Sequence, residues 1–124
     1  MARILIANDN PAVRAYLQRS LTRAGHGVVL VDNGHDALMA MYQAPFDLLL
    51  TDVGIAGIDG VQLARHVAYE RPDVQVMLIT GFSAVALTFS KSPATKSATK
   101  KAPTVSRPFH LRELAQHVDV VLSA

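Results

Sequence analysis

The feature that most constrains this chain is an alternation. Short runs that are apolar on both faces take turns with longer segments whose apolar residues recur at helical spacing. "RILIAN" (3–8), "GVVLVD" (27–32), "FDLLLTD" (46–52) and "VQVMLIT" (74–80) have strand length and are rich in Val, Ile and Leu. "PAVRAYLQRSLTRAG" (11–25) places Val13, Leu17 and Leu21 about one helical turn apart, with Pro11 suited to a first turn and Gly25 to a stop. "GHDALMAMYQA" (34–44) reads as a helix ending before Pro45, and "VQLARHVAYER" (61–71) as one capped by Asp59 or Gly60. "HLRELAQHVDVVL" (110–122) aligns Leu111, Leu114, Val118 and Val121 on one face. A strand that is apolar on both faces needs cover on both sides, and an intervening helix supplies it. The pattern therefore predicts an α/β fold with a doubly wound parallel sheet, its fifth strand short and placed at "PTVS" (103–106).

Residues 82–103 break the pattern. "FSAVALTF" has room for two helical turns at most. "SKSPATKSATKKAP" then offers no large apolar residue, and cannot bury enough area to offset its ordering entropy. A mobile Lys-rich loop is expected at about 90–103 within a single domain spanning 1–124. Charge follows the same division. Residues 1–73 hold six Arg against eight Asp or Glu, whereas 74–112 hold six basic residues and no acid. Every lysine lies between 91 and 101, a window read as a solvated loop or a contact for an acidic partner. DNA is an unlikely partner, because no recognition-helix or aromatic pattern accompanies the lysines. The chain has no Cys, which excludes disulfide and thiol chemistry, and no apolar run of membrane-spanning length. A cytoplasmic protein is expected. The five histidines show no metal-ligand spacing and read as surface or turn residues, with His66 and His117 partly buried on helix flanks.

In open parallel sheets, ligands bind beyond the C-terminal ends of the strands. The residues falling there are Asn8 and Asp9 after the first strand, Asp52 after the third, Thr80 after the fourth and Arg107 before Pro108 after the fifth. A hard cation such as Mg2+ takes carboxylate oxygens and keeps waters for a phosphorylated substrate. A carboxylate can also act as a nucleophile towards phosphorus. A hydroxyl and a fixed cation would hold the phosphoryl oxygens.

This series, with "LLLTDVGIAGIDG" (48–60) around Asp52, resembles a response-regulator receiver domain over nearly the whole chain. Within that family, "LITGFSAVAL" (78–87) and "RPFHLREL" (107–114) are similar to the single-domain CpdR-type receivers of alphaproteobacteria, adaptors of the ClpXP protease. The resemblance implies the flavodoxin-like sheet order 2-1-3-4-5, with the fourth helix shortened or replaced by the Lys-rich loop. It implies Asp52 as phosphoacceptor, and Mg2+ held by Asp9, Asp52 and the backbone carbonyl of Gly54, with Asn8 reached through water at most. Thr80 and Arg107 would sense the phosphoryl group, and the bond from Arg107 to Pro108 would be cis. Implied partners are a histidine kinase or histidine phosphotransfer protein upstream, and a protein such as ClpX downstream.

The departures from the family pattern are specific. Asn8 replaces an acid, which predicts weaker Mg2+ binding. Arg107 replaces Lys, a planar fork in place of a compact ammonium. Ala56 stands at a usual Pro, and Thr104 at the place of a switch aromatic. They motivate an alternative, a degenerate receiver that binds partners without phosphorylation. A nucleotide-binding enzyme is disfavoured, because "ANDNPA" (7–12) has no phosphate-cradling Gly.

Overall fold

The computed structural model describes residues 1–88, 104–105 and 107–123, so the Lys-rich segment expected at 90–103 lies outside the described residues. The chain begins with four strand–helix pairs less one: β1 Arg3–Ala7, α1 Pro11–Arg23, β2 Gly27–Val31, α2 Gly34–Gln43, β3 Leu48–Asp52, α3 Gly60–Glu70 and β4 Gln75–Thr80. Three short strands follow, β5 Ser83–Thr88, β6 Thr104–Val105 and β7 Phe109–His110, then a 3-10 turn Leu111–Glu113 and the helix α4 Leu114–Ser123. The sheet runs β2-β1-β3-β4-β5-β6, with β7 also paired to β5. Its first four strands are parallel and follow the expected order.

Helix starts follow local chemistry. Asn10 caps α1, its side chain accepting from the backbone of Ala12 and Val13, with Pro11 at the first helical position. Asn33 caps α2 through Asp36 N, and Asp59 caps α3 through Val61 N. Gly25, at φ 94°, takes the left-handed conformation that ends the α1 turn.

The parallel strands are buried on both faces, as their composition requires. Ile4, Ile6, Leu48, Leu50, Met77 and Ile79 face a cluster closed by Leu17 and Leu21 of α1 and Leu114 and Val118 of α4. Leu5, Ala7, Leu49, Val76 and Leu78 face the opposite cluster, closed by Ala37 and Met41 of α2 and Leu63, Ala64 and Val67 of α3. Alternate residues along each strand thus feed two cores. Full burial of each Leu or Ile contributes roughly 1.5–3 kcal/mol before entropy is counted.

The fifth sheet position departs from an all-parallel sheet. The strand beside β4 is not 103–106 but β5, and it is antiparallel. Ser83–Thr88, within the stretch expected to have room only for helical turns, supplies it. The reason is the turn. Thr80 pairs with Ser83, leaving only Gly81 and Phe82 between, and Gly81 has φ 62°. A two-residue link with Gly first makes a hairpin. A parallel neighbour would need a crossover of about a dozen residues or more. Thr104–Val105 is a strand as expected, but it pairs with Leu87 and Thr88 on the far side of β5.

Two smaller expectations also change. No cis peptide occurs among the described residues, so the bond from Arg107 to Pro108 is trans. Trans is the ground state of such bonds by about 0.5–1 kcal/mol, and cis needs neighbours that enforce a tight turn. Here the chain leads on into β7. His26 is buried rather than superficial, at 9% exposure. Its Nδ1 accepts from Ala2 N at 3.1 Å, and its Nε2 lies 3.4 Å from Asp119 of α4 without an aligned hydrogen bond.

Candidate functional site

The site is assembled at the C-terminal edge of the parallel strands. Ala7 of β1 pairs with Thr51 of β3, and Asp52 pairs with Ile79 of β4. Asp9, Asp52 and Thr80 therefore leave three adjacent strands at nearly the same level. Asp9 and Thr80 are exposed, and Asp52 is half-buried.

The residues around Asp9 are held tightly. Asn8 is 1% exposed. Its backbone N–H donates to Val31 O at 3.1 Å, and its Oδ1 accepts from Asn10 N at 2.8 Å. Its carbonyl accepts from Nη1 of Arg14 at 2.8 Å. Asn10 is fixed in turn as the α1 cap. Among the described residues the Asp9 carboxylate accepts no hydrogen bond. The amide oxygen of Asn8 is thus committed to the turn, and the carboxylate of Asp9 is free to meet a ligand.

Asp52 is set by its own loop and by α3. Its Oδ1 accepts from Gly54 N at 3.1 Å. Gly60 N donates to Val53 O at 3.2 Å, and a Cβ at Gly60 would run into the carbonyl oxygen of Asp52. Only glycine lets α3 start this close to the acidic residue. Gly54 is exposed, with open space where a Cβ would stand. The loop after β3 is tethered despite Ala56 in place of a proline. Ala56 bridges to Asn33, and its carbonyl accepts from Gly34 N at 2.9 Å.

The segment that carries Arg107 lies one strand further out than expected. β7 pairs with β5, with Phe109 level with Ala84, which is itself level with Ile79. Arg107 comes two residues before that level. At about 4.8 Å per strand, its segment stands three strands or about 14 Å from β3, where a fifth strand beside β4 would stand at about 10 Å. The segments on either side of Arg107 pair with β5 in registers that differ by one residue.

Two contributors escaped the sequence reading. Gly60 was visible only as a possible cap. Arg14 carried a signal, since it shares a helical face with Leu17 and Leu21, where a cation is out of place. Among the described residues no cluster of three His, Cys, Asp or Glu forms a ready-made metal centre. The donors that do converge are hard oxygens, a free carboxylate at Asp9 and a second at Asp52, beside an uncrowded backbone at Gly54. That set suits Mg2+, which binds through one or two carboxylates and retains water.

The parallel sheet thus carries two acidic residues and a hydroxyl at adjacent strand ends. The response regulator receiver domain family matches residues 4–119, and the chain belongs to that family. It is 40% identical over 124 residues to the response regulator receiver protein CpdR of Brucella abortus, covering 100% of this chain and 99% of that one. It matches the response regulator TrrA of Thermotoga maritima, solved in complex with Mg2+ and beryllofluoride, at TM-score 0.71 and 26% identity, covering 98% and 99% of the two chains. The same values hold for a match in the crystal structure of the histidine kinase ThkA in complex with TrrA.

Proposed function

We propose that this receiver domain accepts a phosphoryl group on Asp52 from a histidine kinase or histidine phosphotransfer protein, and that the modification changes its affinity for a partner protein. The observation that carries the reading is the pair of carboxylates at neighbouring strand ends, Asp9 uncommitted and Asp52 held by Gly54 and backed by Gly60. An Asp52 oxygen would form the new O–P bond as the donor's N–P bond breaks. Asp9, Asp52 and the Gly54 carbonyl would hold Mg2+, which offsets the charge of the transferring group when bound. Asn8 would contribute through water at most. Thr80 would donate its hydroxyl to a phosphoryl oxygen. The kinship with TrrA, seen with a histidine kinase and with Mg2+ and beryllofluoride, supports these assignments. A cytoplasmic adaptor with ClpX as its partner is what the resemblance to CpdR-type receivers implies, and the kinship with the receiver protein CpdR is in keeping with that reading. No described helix is long and apolar enough to cross a membrane.

Incubation with acetyl phosphate and Mg2+ tests the reading. Intact-mass spectrometry is expected to show one added phosphoryl group, absent in Asp52→Ala and without Mg2+. Persistent absence of modification with acetyl phosphate and with kinase donors would sink it.

The placement of Arg107 favours a second reading, a binding module that works without phosphorylation. The segment that carries Arg107 stands one strand further from β3 than a fifth strand beside β4 would, which lengthens the reach from Arg107 to a phosphoryl group. A phosphorylated form whose lifetime is unchanged in Arg107→Ala would remove that residue from the mechanism. A domain that neither binds Mg2+ nor accepts phosphate, yet retains its partner, would establish the second reading.

A further inference from the structure

Asn8 and Asn10, on either side of Asp9, are pinned by hydrogen bonds, and one of the pins is a charge. Arg14 is half-buried, and its Nη1 donates to the Asn8 carbonyl at 2.8 Å. A carbonyl oxygen stands about 3 Å from the next Cα, so the guanidinium lies within about 6 Å of the Cα of Asp9. A guanidinium does not lose its proton in proteins. Among the described residues Arg14 forms no ion pair. The first position of the acidic group is the neutral Asn8, so nothing there cancels the cation.

The charge arithmetic of the site is then unusual. Asp9 and Asp52 supply two negative charges, and Arg14 supplies one positive. A divalent cation on the bare site leaves it one unit positive. A phosphorylated Asp52, at about −2, makes the same assembly neutral. We propose that Arg14 sets the balance between the two ligands of the site: its charge opposes a divalent cation, whether Asp52 is bare or modified, and favours a phosphoryl group. The inference rests on the phosphoacceptor reading and deepens it. Arg14 acts through the charge it places beside Asp9 and is a positioning residue. At separations of 6–9 Å and a dielectric close to that of water, one charge is worth about five- to tenfold in the affinity of a divalent ion, less once salt screens it.

The test is a titration of the full chain with MgCl2 at low ionic strength, followed by amide chemical shifts near Asp9 and Asp52, with and without beryllofluoride as phosphoryl mimic. The wild type is expected to bind Mg2+ weakly, and far more tightly with beryllofluoride. Arg14→Gln should tighten Mg2+ binding about three- to tenfold both with and without the mimic, and should weaken the hold on beryllofluoride at a fixed Mg2+ concentration. Arg14→Lys, which keeps the charge, should behave as the wild type. If Arg14→Gln does not fold, Arg14→Met keeps the aliphatic stem and makes the same comparison. A folded neutral variant with unchanged or weaker Mg2+ affinity overturns the role of Arg14 while leaving the phosphoacceptor reading intact. A wild type that shows no saturable Mg2+ response overturns both.

Discussion

At Asn8 a neutral amide takes the place of an acid, yet its oxygen is already spent on Asn10 N–H and its burial is nearly complete. A carboxylate there keeps the same hydrogen bond, and the neighbouring Arg14 guanidinium offsets its burial. Asn8→Asp should therefore fold normally and bind Mg2+ about three- to tenfold more tightly, measured by the same amide titration. Gly60 is governed by contact instead. Its missing Cβ is what allows α3 to begin against the backbone of Asp52. Gly60→Ala forces that helix start away and should cost about 3 kcal/mol in urea denaturation, with phosphoacceptor activity falling alongside. An alanine variant of wild-type stability would show that the loop yields without strain. The strand-end placement of Asp9, Asp52 and Thr80 was legible, because each is a polar residue at or just past the end of an apolar run. Arg14 and Gly60 were not, because a tertiary approach gives each its role. A helix-facing arginine and a glycine after a cap have ordinary local explanations.

Among the elements, the four parallel strands and the three helices between them could be read from periodicity, and their boundaries moved by at most two residues. The strand β5 could not, because "SAVALT" mixes Ala and Leu, good helix formers, with Val and Thr, which favour strands. The decisive signal was shorter and lay in the turn. Gly81-Phe82 stands between two runs able to pair, and glycine first in a two-residue link is a hairpin mark. The same turn makes a prediction that separates conformation from packing. Gly81 has φ 62° and open space where a Cβ would stand. Gly81→Ala should thus cost about 1–2 kcal/mol through backbone strain alone. Urea denaturation reads that cost, which should be smaller than that of Gly60→Ala, where the obstacle is another chain segment. Equal costs for the two would mean that strain at the hairpin spreads into β4 and β5.

Across the whole molecule, one central strand carries two cores. Leu49 and Leu50 are neighbours on β3 and both are 0% exposed, but Leu49 belongs to the layer under α2 and α3, and Leu50 to the layer under α1 and α4. Truncating either to alanine should cost about 2–5 kcal/mol, since both leave a cavity in a packed interior. The layers share β1, β3 and β4, so neither can lose its strand side without exposing the other's. The expected consequence is a single cooperative transition in both variants. Native-state hydrogen exchange checks this directly. Leu49→Ala should lower the protection of the slowest amides in α1 as much as in α3, although its side chain touches only the α3 side, and Leu50→Ala should do the same in reverse. A loss confined to the helices over the truncated layer would show two separable folding units. The proposed phosphoacceptor edge would then stand on a sheet whose faces can open independently, and a signal at Asp52 could reach one layer without the other.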